Sequence, residues 1–130
     1  MIEGHKMGGE CLNNGCVPSK ALITAAKRAA MAREEQRFGV TLAPPIVDWA
    51  GVRDHIQGAI AAIEHHDSKE TFEAMGMEVV CGWARLTGKH SVEVEGRRLS
   101  APRIVLATGS RPHVPPIEGL ETVPYLTNEN

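Results

Sequence analysis

Apolar residues recur at helical spacing in two stretches of the chain, and beyond them the repeat shortens to two. Residues 18–37 are mostly strong helix formers, and Ala21, Ala25, Ala26, Ala29, Ala30 and Ala32 make a slender helix able to pack closely. Gly39, after Phe38, is its expected stop, and Pro44-Pro45 makes 40–48 a loop. Val52, Ile56, Ile60, Ile63 and Phe72 predict one continuous second helix over 49–75, with an apolar stripe and Gly76 at its end. Residues 77–86, 91–94 and 97–100 then read as short strands of an antiparallel meander, with Gly88 and Gly96 at its turns. Arg-Ile-Val-Leu-Ala over 103–107 is the apolar run expected of a strand buried on both faces of a parallel sheet. Met1-Ile2-Glu3 reads as the tail of another strand, ending in a carboxylate. The fold class predicted is α/β, with two long helices and a small antiparallel β-meander.

Composition narrows the chemistry. A chain of 130 residues buries one ordinary core. A hydrophobic fraction of 42% with a net charge of -2 describes a globular chain without the basic surplus of a nucleic-acid binder. Its apolar runs fall short of a membrane span, and Met-Ile-Glu-Gly-His-Lys lacks the apolar core of a signal peptide. The expectation is a cytoplasmic chain with neither nucleic acid nor membrane as partner. Three cysteines without a dense framework suit a reducing compartment. Cys81, inside a predicted strand, is expected as a buried small hydrophobe. His65, His66 and Asp67 are adjacent helical positions whose side chains are expected to point apart, so no metal site is predicted there.

Residues 8–22 carry the chemistry. They read Gly-Gly-Glu-Cys-Leu-Asn-Asn-Gly-Cys-Val-Pro-Ser-Lys-Ala-Leu, with Cys11 and Cys16 five positions apart. On one continuous helix two thiols so spaced lie too far apart to bond, because a disulfide needs α-carbons within about 7 Å. The chain between them must curl, and Asn13, Asn14 and Gly15 tolerate the left-handed angles a curl requires. Pro18 suits the first turn of the following helix, which places Cys16 at the helix mouth, where backbone amides and dipole favour a thiolate. Glu10, beside Cys11, is expected to raise the pKa of that thiol. A bridge closing so short a loop removes only about 2 kcal/mol of unfolded-chain entropy, which favours a redox role over a structural one. Zinc ligation would need a second pair, which does not follow, and an iron-sulfur cluster needs further cysteines near Cys16.

The order Gly-Gly-x-Cys-x-Asn-x-Gly-Cys-x-Pro-Ser-Lys resembles the redox-active disulfide segment of the class I pyridine nucleotide-disulfide oxidoreductases. The Ser-Lys after Pro18 is similar to the dihydrolipoamide dehydrogenase and mercuric reductase branches. Ala-Thr-Gly-Ser-x-Pro over 107–112 resembles the same family's second FAD fingerprint.

The resemblance implies a Rossmann-like FAD-binding domain of which residues 1–130 form part. No Gly-x-Gly-x-x-Gly occurs in the sequence, so the first strand and its glycine turn are expected upstream, and the NAD(P)-binding and dimerisation domains downstream. Carried over by position, Cys11 is the interchange thiol and Cys16 the flavin-proximal one. Glu3 is the ribose-binding carboxylate, and Gly8, Gly9, Glu10, Lys20, Ala84, Thr108 and Gly109 are the other FAD-binding positions. Glu10 stands where the family usually has a hydroxyl residue. The implied cofactors are FAD and, through the absent domain, NAD(P)H. The implied partners are a disulfide, dithiol or metal-ion substrate and a second copy in a homo-oligomer. The family's proton-handling histidine belongs to another domain, and none of the six histidines here stands in its motif. The chain alone is accordingly expected to be inactive and to hold FAD weakly; the alternative function is a non-catalytic fragment that binds or self-associates.

Overall fold

The computed structural model describes residues 1–34, 38–40 and 42–130. They form two compact units, one of Met1–Gly9 with Glu64–Ser110 and the other of Glu10–Ile63 with Arg111–Asn130.

The second unit is helical. A short helix α1 (Gly9–Asn13) leads through a two-residue turn into α2 (Cys16–Glu34). The long helix starts two residues earlier than Pro18 predicts, leaving Pro18 in its first turn, where a missing N–H costs nothing. Residues 35–37 of the predicted helix lie outside the described residues, and Gly39 takes a φ of 77°. Ala21 is buried and Ala25, Ala29 and Ala32 are half-buried, so the alanines mark the less exposed line of α2 at steps of four, four and three. Helix α3 (Trp49–Glu64) begins after Asp48, whose Oδ1 accepts the Ala50 N–H at 3.0 Å. Val52, Ile56 and Ile60 turn inward along α3 as the stripe predicts, whereas Ile63 is exposed. Leu12, at 2% exposure, is the most buried of the described residues of this unit.

The predicted helix over 49–75 is broken. After Glu64 the chain tightens into a 3-10 turn, His65–Asp67, and then restarts as α4 (Lys69–Ala74). The break is at Ser68, whose extended backbone and side chain, accepting the Thr71 N–H at 3.2 Å, make it the N-cap of a new helix. Phe72 thus belongs to a different helix from Ile60. The rings of His65 and His66 do not diverge but lie against each other, with centroids 3.7 Å apart and planes tilted by 41°. Gly76 ends α4 with a φ of 88°.

The sheet unit holds β1 (Ile2–Glu3) parallel to β2 (Val80–Cys81), with Ile2 opposite Val80 and Glu3 opposite Cys81. A separate antiparallel meander runs β3 (Arg85–Gly88), β4 (Ser91–Val94), β5 (Arg97–Ser100). Glu95 and Gly96 join β4 to β5 with φ of 47° and 71°, the two positive angles of a type I′ hairpin turn. Val79 and Val94 form the buried centre of this unit, and Val94 is 1% exposed.

Three sequence expectations fail here. The strand predicted over 77–86 splits in two at Gly82, whose φ of 151° no ladder residue with a side chain adopts readily. Cys81 is exposed, because β2 is an edge of a sheet of two strands. Residues 103–107 form no strand: among the described residues none pairs with them, and Val105 and Leu106 are 88% and 66% exposed. An apolar run becomes a sheet strand only when a neighbour satisfies its backbone.

Candidate redox and cofactor site

Cys11 lies on α1 and Cys16 opens α2, so their approach depends on the turn between the two helices. The Asn14 N–H donates to the Glu10 carbonyl at 2.9 Å, closing α1, and the Ser19 N–H donates to the Gly15 carbonyl at 3.1 Å, opening α2. None of Asn13, Asn14 and Gly15 has a positive φ, contrary to the sequence expectation. Gly15 serves another purpose. A Cβ there would lie 3.0 Å from the Glu10 carbonyl oxygen, tighter than most real Cβ contacts, and 3.4 Å from Cys11 Cα. The bare glycine backbone lets the start of α2 lie against α1, and this close approach brings the cysteines together.

Both thiols are exposed, and neither is bridged. Cys11 hydrogen-bonds through its side chain to Cys16, and this bond is the main reason its pKa is raised above the ordinary 9.0. Desolvation and the charge of Cys16 act in the same direction, while the Cys16 backbone N–H and the nearby Lys20 act against it. Glu10 does not figure among these causes, so the sequence expectation names the right thiol for the wrong reason. The Ser19 hydroxyl donates to the Cys16 carbonyl at 3.2 Å and steadies the first turn of α2.

In the sheet unit a cavity of about 700 Å³ is lined by Glu3, Trp83, Ala84, Val105 and Thr108 among others. Three of the residues given to FAD by resemblance, Glu3, Ala84 and Thr108, thus share one wall. Glu3 is half-buried, and its Oε1 accepts the His5 N–H at 2.9 Å. Gly109 follows Thr108 with a φ of 71°. Gly8 and Gly9, with φ of 83° and 59°, open the way to α1 but do not line the cavity. Glu10 and Lys20 belong to the helical unit.

The wall has a feature the sequence does not announce. The Gly82 N–H donates to the Glu3 carbonyl at 2.8 Å, extending the β1–β2 pairing by one bond. A Cβ on Gly82 would meet Glu95 Oε1 at 2.6 Å, so a side chain there displaces the Glu95 carboxylate, and the φ of 151° favours glycine besides. The next residue, Trp83, is laid over Gly4, where a Cβ would lie 3.1 Å from the indole ring. These partners stand 79 positions apart, which no local pattern reports. Among the described residues no group of three His, Cys, Asp or Glu side chains is placed to hold a metal ion, and no helix is long and apolar enough to cross a membrane.

Residues 1–129 match the family described as pyridine nucleotide-disulphide oxidoreductase. The mercuric reductase of Lysinibacillus sphaericus is 32% identical over 128 residues, covering 98% of this chain and 23% of that protein. A chloroplastic dihydrolipoyl dehydrogenase 2 of Arabidopsis thaliana is 32% identical over 124 residues, covering 93% of this chain and 21% of its own length. Among solved structures, the HOCl-induced flavoprotein disulfide reductase RclA of Escherichia coli, in its Cu(II) complex, superposes with a TM-score of 0.70 at 23% identity. The match covers 95% of this chain and 25% of that one, a likeness of fold. The chain spans about a quarter of the length of such relatives. A match over nearly every residue, the paired thiols on the α1–α2 turn included, places the chain in the pyridine nucleotide-disulphide oxidoreductase family.

Proposed function

We propose that the chain carries the dithiol of a flavin-dependent disulfide oxidoreductase, with Cys11 as the interchange thiol and Cys16 as its resolving partner. The observation that carries this reading is the α1–α2 turn, which sets Cys11 on the first helix and Cys16 at the start of the second with the Gly15 backbone packed against Cys11 between them. Such proximity is what reversible disulfide formation requires. Cys11, once deprotonated, attacks one sulfur of a substrate disulfide, and the departing thiolate takes up a proton. Cys16 then gives up its own proton and attacks the sulfur of Cys11, expelling the second substrate thiol. The substrate gains two electrons and two protons, and the protein ends as the Cys11–Cys16 disulfide. Relatives named mercuric reductase and dihydrolipoyl dehydrogenase are compatible with either a thiophilic metal ion or a dithiol as the substrate class.

FAD fits part of what the sheet unit offers. A cavity of about 700 Å³ is of cofactor size, and the Glu3 carboxylate suits ribose hydroxyls. Glu3, Ala84 and Thr108 are the residues to hold it there, with Gly109 bringing a bare backbone close. When bound, FAD supplies the two-electron carrier between NAD(P)H and the dithiol. No glycine-rich phosphate turn is present in the sequence, so FAD is expected to bind this chain weakly.

The test is oxidation with a disulfide reagent followed by alkylation and mass spectrometry. One internal bridge should form between Cys11 and Cys16, with Cys81 still alkylated. A bridge that includes Cys81, or three alkylated thiols, contradicts the proposal.

A further inference from the structure

We propose that Asn14 is a site of spontaneous covalent modification, where its side chain closes on the Gly15 nitrogen, ammonia leaves, and the backbone between the two thiols grows by one carbon. The modification itself is independent of any redox role, whereas its consequence for the thiols rests on the dithiol reading above.

Three observations carry it. Asn14 stands before Gly15, whereas Asn13 and Asn128 stand before residues that carry side chains. Without a Cβ on Gly15, its backbone nitrogen is free to approach the side-chain amide carbon of Asn14. The pair also lies outside both helices, because α1 ends at Asn13 and α2 starts at Cys16. Asn14 is exposed, and among the described residues no backbone carbonyl accepts the Gly15 N–H. Finally, the turn has little slack, since a Cβ on Gly15 would lie 3.0 Å from the Glu10 carbonyl oxygen and 3.4 Å from Cys11 Cα.

The chemistry needs only water. The Gly15 nitrogen loses its proton and attacks the side-chain carbonyl carbon of Asn14, and the C–N bond formed replaces the bond to the departing ammonia. The product is a five-membered succinimide, which water opens at either carbonyl. Opening at the side-chain carbonyl gives aspartate; opening at the main-chain carbonyl gives isoaspartate, whose chain runs through the former side chain. Isoaspartate adds one carbon–carbon bond, roughly 1.5 Å, to the path from Cys11 to Cys16. It also sets a carboxylate two residues before Cys16, and both changes oppose the meeting of a thiolate with its partner sulfur.

The test is to age the folded, reduced protein at mildly alkaline pH and map its peptides by electron-transfer fragmentation, which tells isoaspartate from aspartate. Isoaspartate should appear at position 14 and not at 13 or 128, and N14A should show none. Its rate in the protein should lie within about tenfold of that in a synthetic peptide of residues 8–22. The isoaspartate fraction, separated by ion exchange, should bridge Cys11 to Cys16 about tenfold more slowly than fresh protein. N14D, which has the charge without the added carbon, should bridge within about threefold of the parent. Protein left unmodified at Asn14 while the peptide reacts, or isoaspartate spread equally over positions 13, 14 and 128, overturns the site. Equal bridging by the aged and fresh fractions overturns the consequence for the thiols. A fresh parent that forms no Cys11–Cys16 bridge contradicts the dithiol reading instead, and is seen before ageing begins, while the peptide map still decides the modification.

Discussion

The thiol turn and the cavity wall each have a glycine at a close approach, but the two glycines work over different distances. Gly15 lies against Glu10 and Cys11, five and four residues back, and its backbone φ is ordinary. Gly82 lies against Glu95 in the meander, bonds to Glu3 in β1 and holds a φ of 151°. The first contact forms as soon as two short helices do; the second requires that three separate pieces of chain have already met. A redox element built locally keeps its geometry even if the rest is perturbed, whereas a ligand wall built from distant pieces is only as firm as the whole unit.

The largest effects should come from breaking these glycines one at a time. G82A adds a forbidden φ to a clash with Glu95, and should destabilise by about 2–3 kcal/mol. E95A in the same chain relieves the clash but not the backbone strain, and should recover only part. G15A faces backbone atoms that cannot swing away, but gains from a less flexible unfolded chain, so a net loss of about 1 kcal/mol is expected. Urea midpoints report the stabilities, and the rate of Cys11–Cys16 bridging reports the local geometry. G15A should slow bridging and G82A should leave it unchanged. If G82A slows bridging as much as G15A does, the two regions are not independent in the way their contacts imply.

That contrast also explains what could be read in advance. The cysteine spacing, Pro18 and the glycine between them sit within one short segment, so the helix mouth, the paired thiols and the need for Gly15 were legible, although the glycine's reason was misread as a left-handed angle. The meander was legible because the two-residue period and the Glu95-Gly96 turn are local. The cap at Ser68 is hidden in the sequence although Ser68 and Thr71 stand in plain view, because the apolar stripe over 49–75 runs across it. Residues 103–107 carry every mark of a strand except a partner, and a partner is a property of the fold. Trp83 was invisible for the same reason, since its seat on Gly4 links residues 79 positions apart.

A smaller effect tests the thiol turn electrostatically. Because the hydrogen bond to Cys16 holds the Cys11 proton, the folded protein binds it more tightly than the unfolded chain does. The stabilisation is therefore fully present below the ordinary value of 9.0 and is lost as pH rises through the elevated folded value. Iodoacetamide labelling of Cys11 against pH, in a C81S background, should show a midpoint above 9.0. C16A should bring it down toward the ordinary value, and E10Q should leave it where it was. A midpoint that moves with E10Q and not with C16A restores the sequence-based reading of Glu10.

The smallest effect belongs to the surface of the sheet unit, where Arg97 Nη2 donates to Glu78 Oε1 at 2.7 Å. This pair links β5 to the segment entering β2, the same long-range junction that seats Trp83. The Arg97 hydrogen bond, more than its charge, holds the Glu78 carboxyl below its ordinary 4.5. Its contribution to stability is thus present above 4.5 and disappears as pH falls through the lowered value. With side chains 53% and 65% exposed, the pair is screened by water and salt, and exposed pairs of this kind add little. R97Q should return the Glu78 titration, followed by NMR of its carboxyl carbon, to about 4.5, while the urea midpoint barely moves. Should R97Q instead lower stability as much as G82A does, the junction is held by its charges, and the glycine contacts beneath Glu95 and Trp83 are not what fixes the cavity wall.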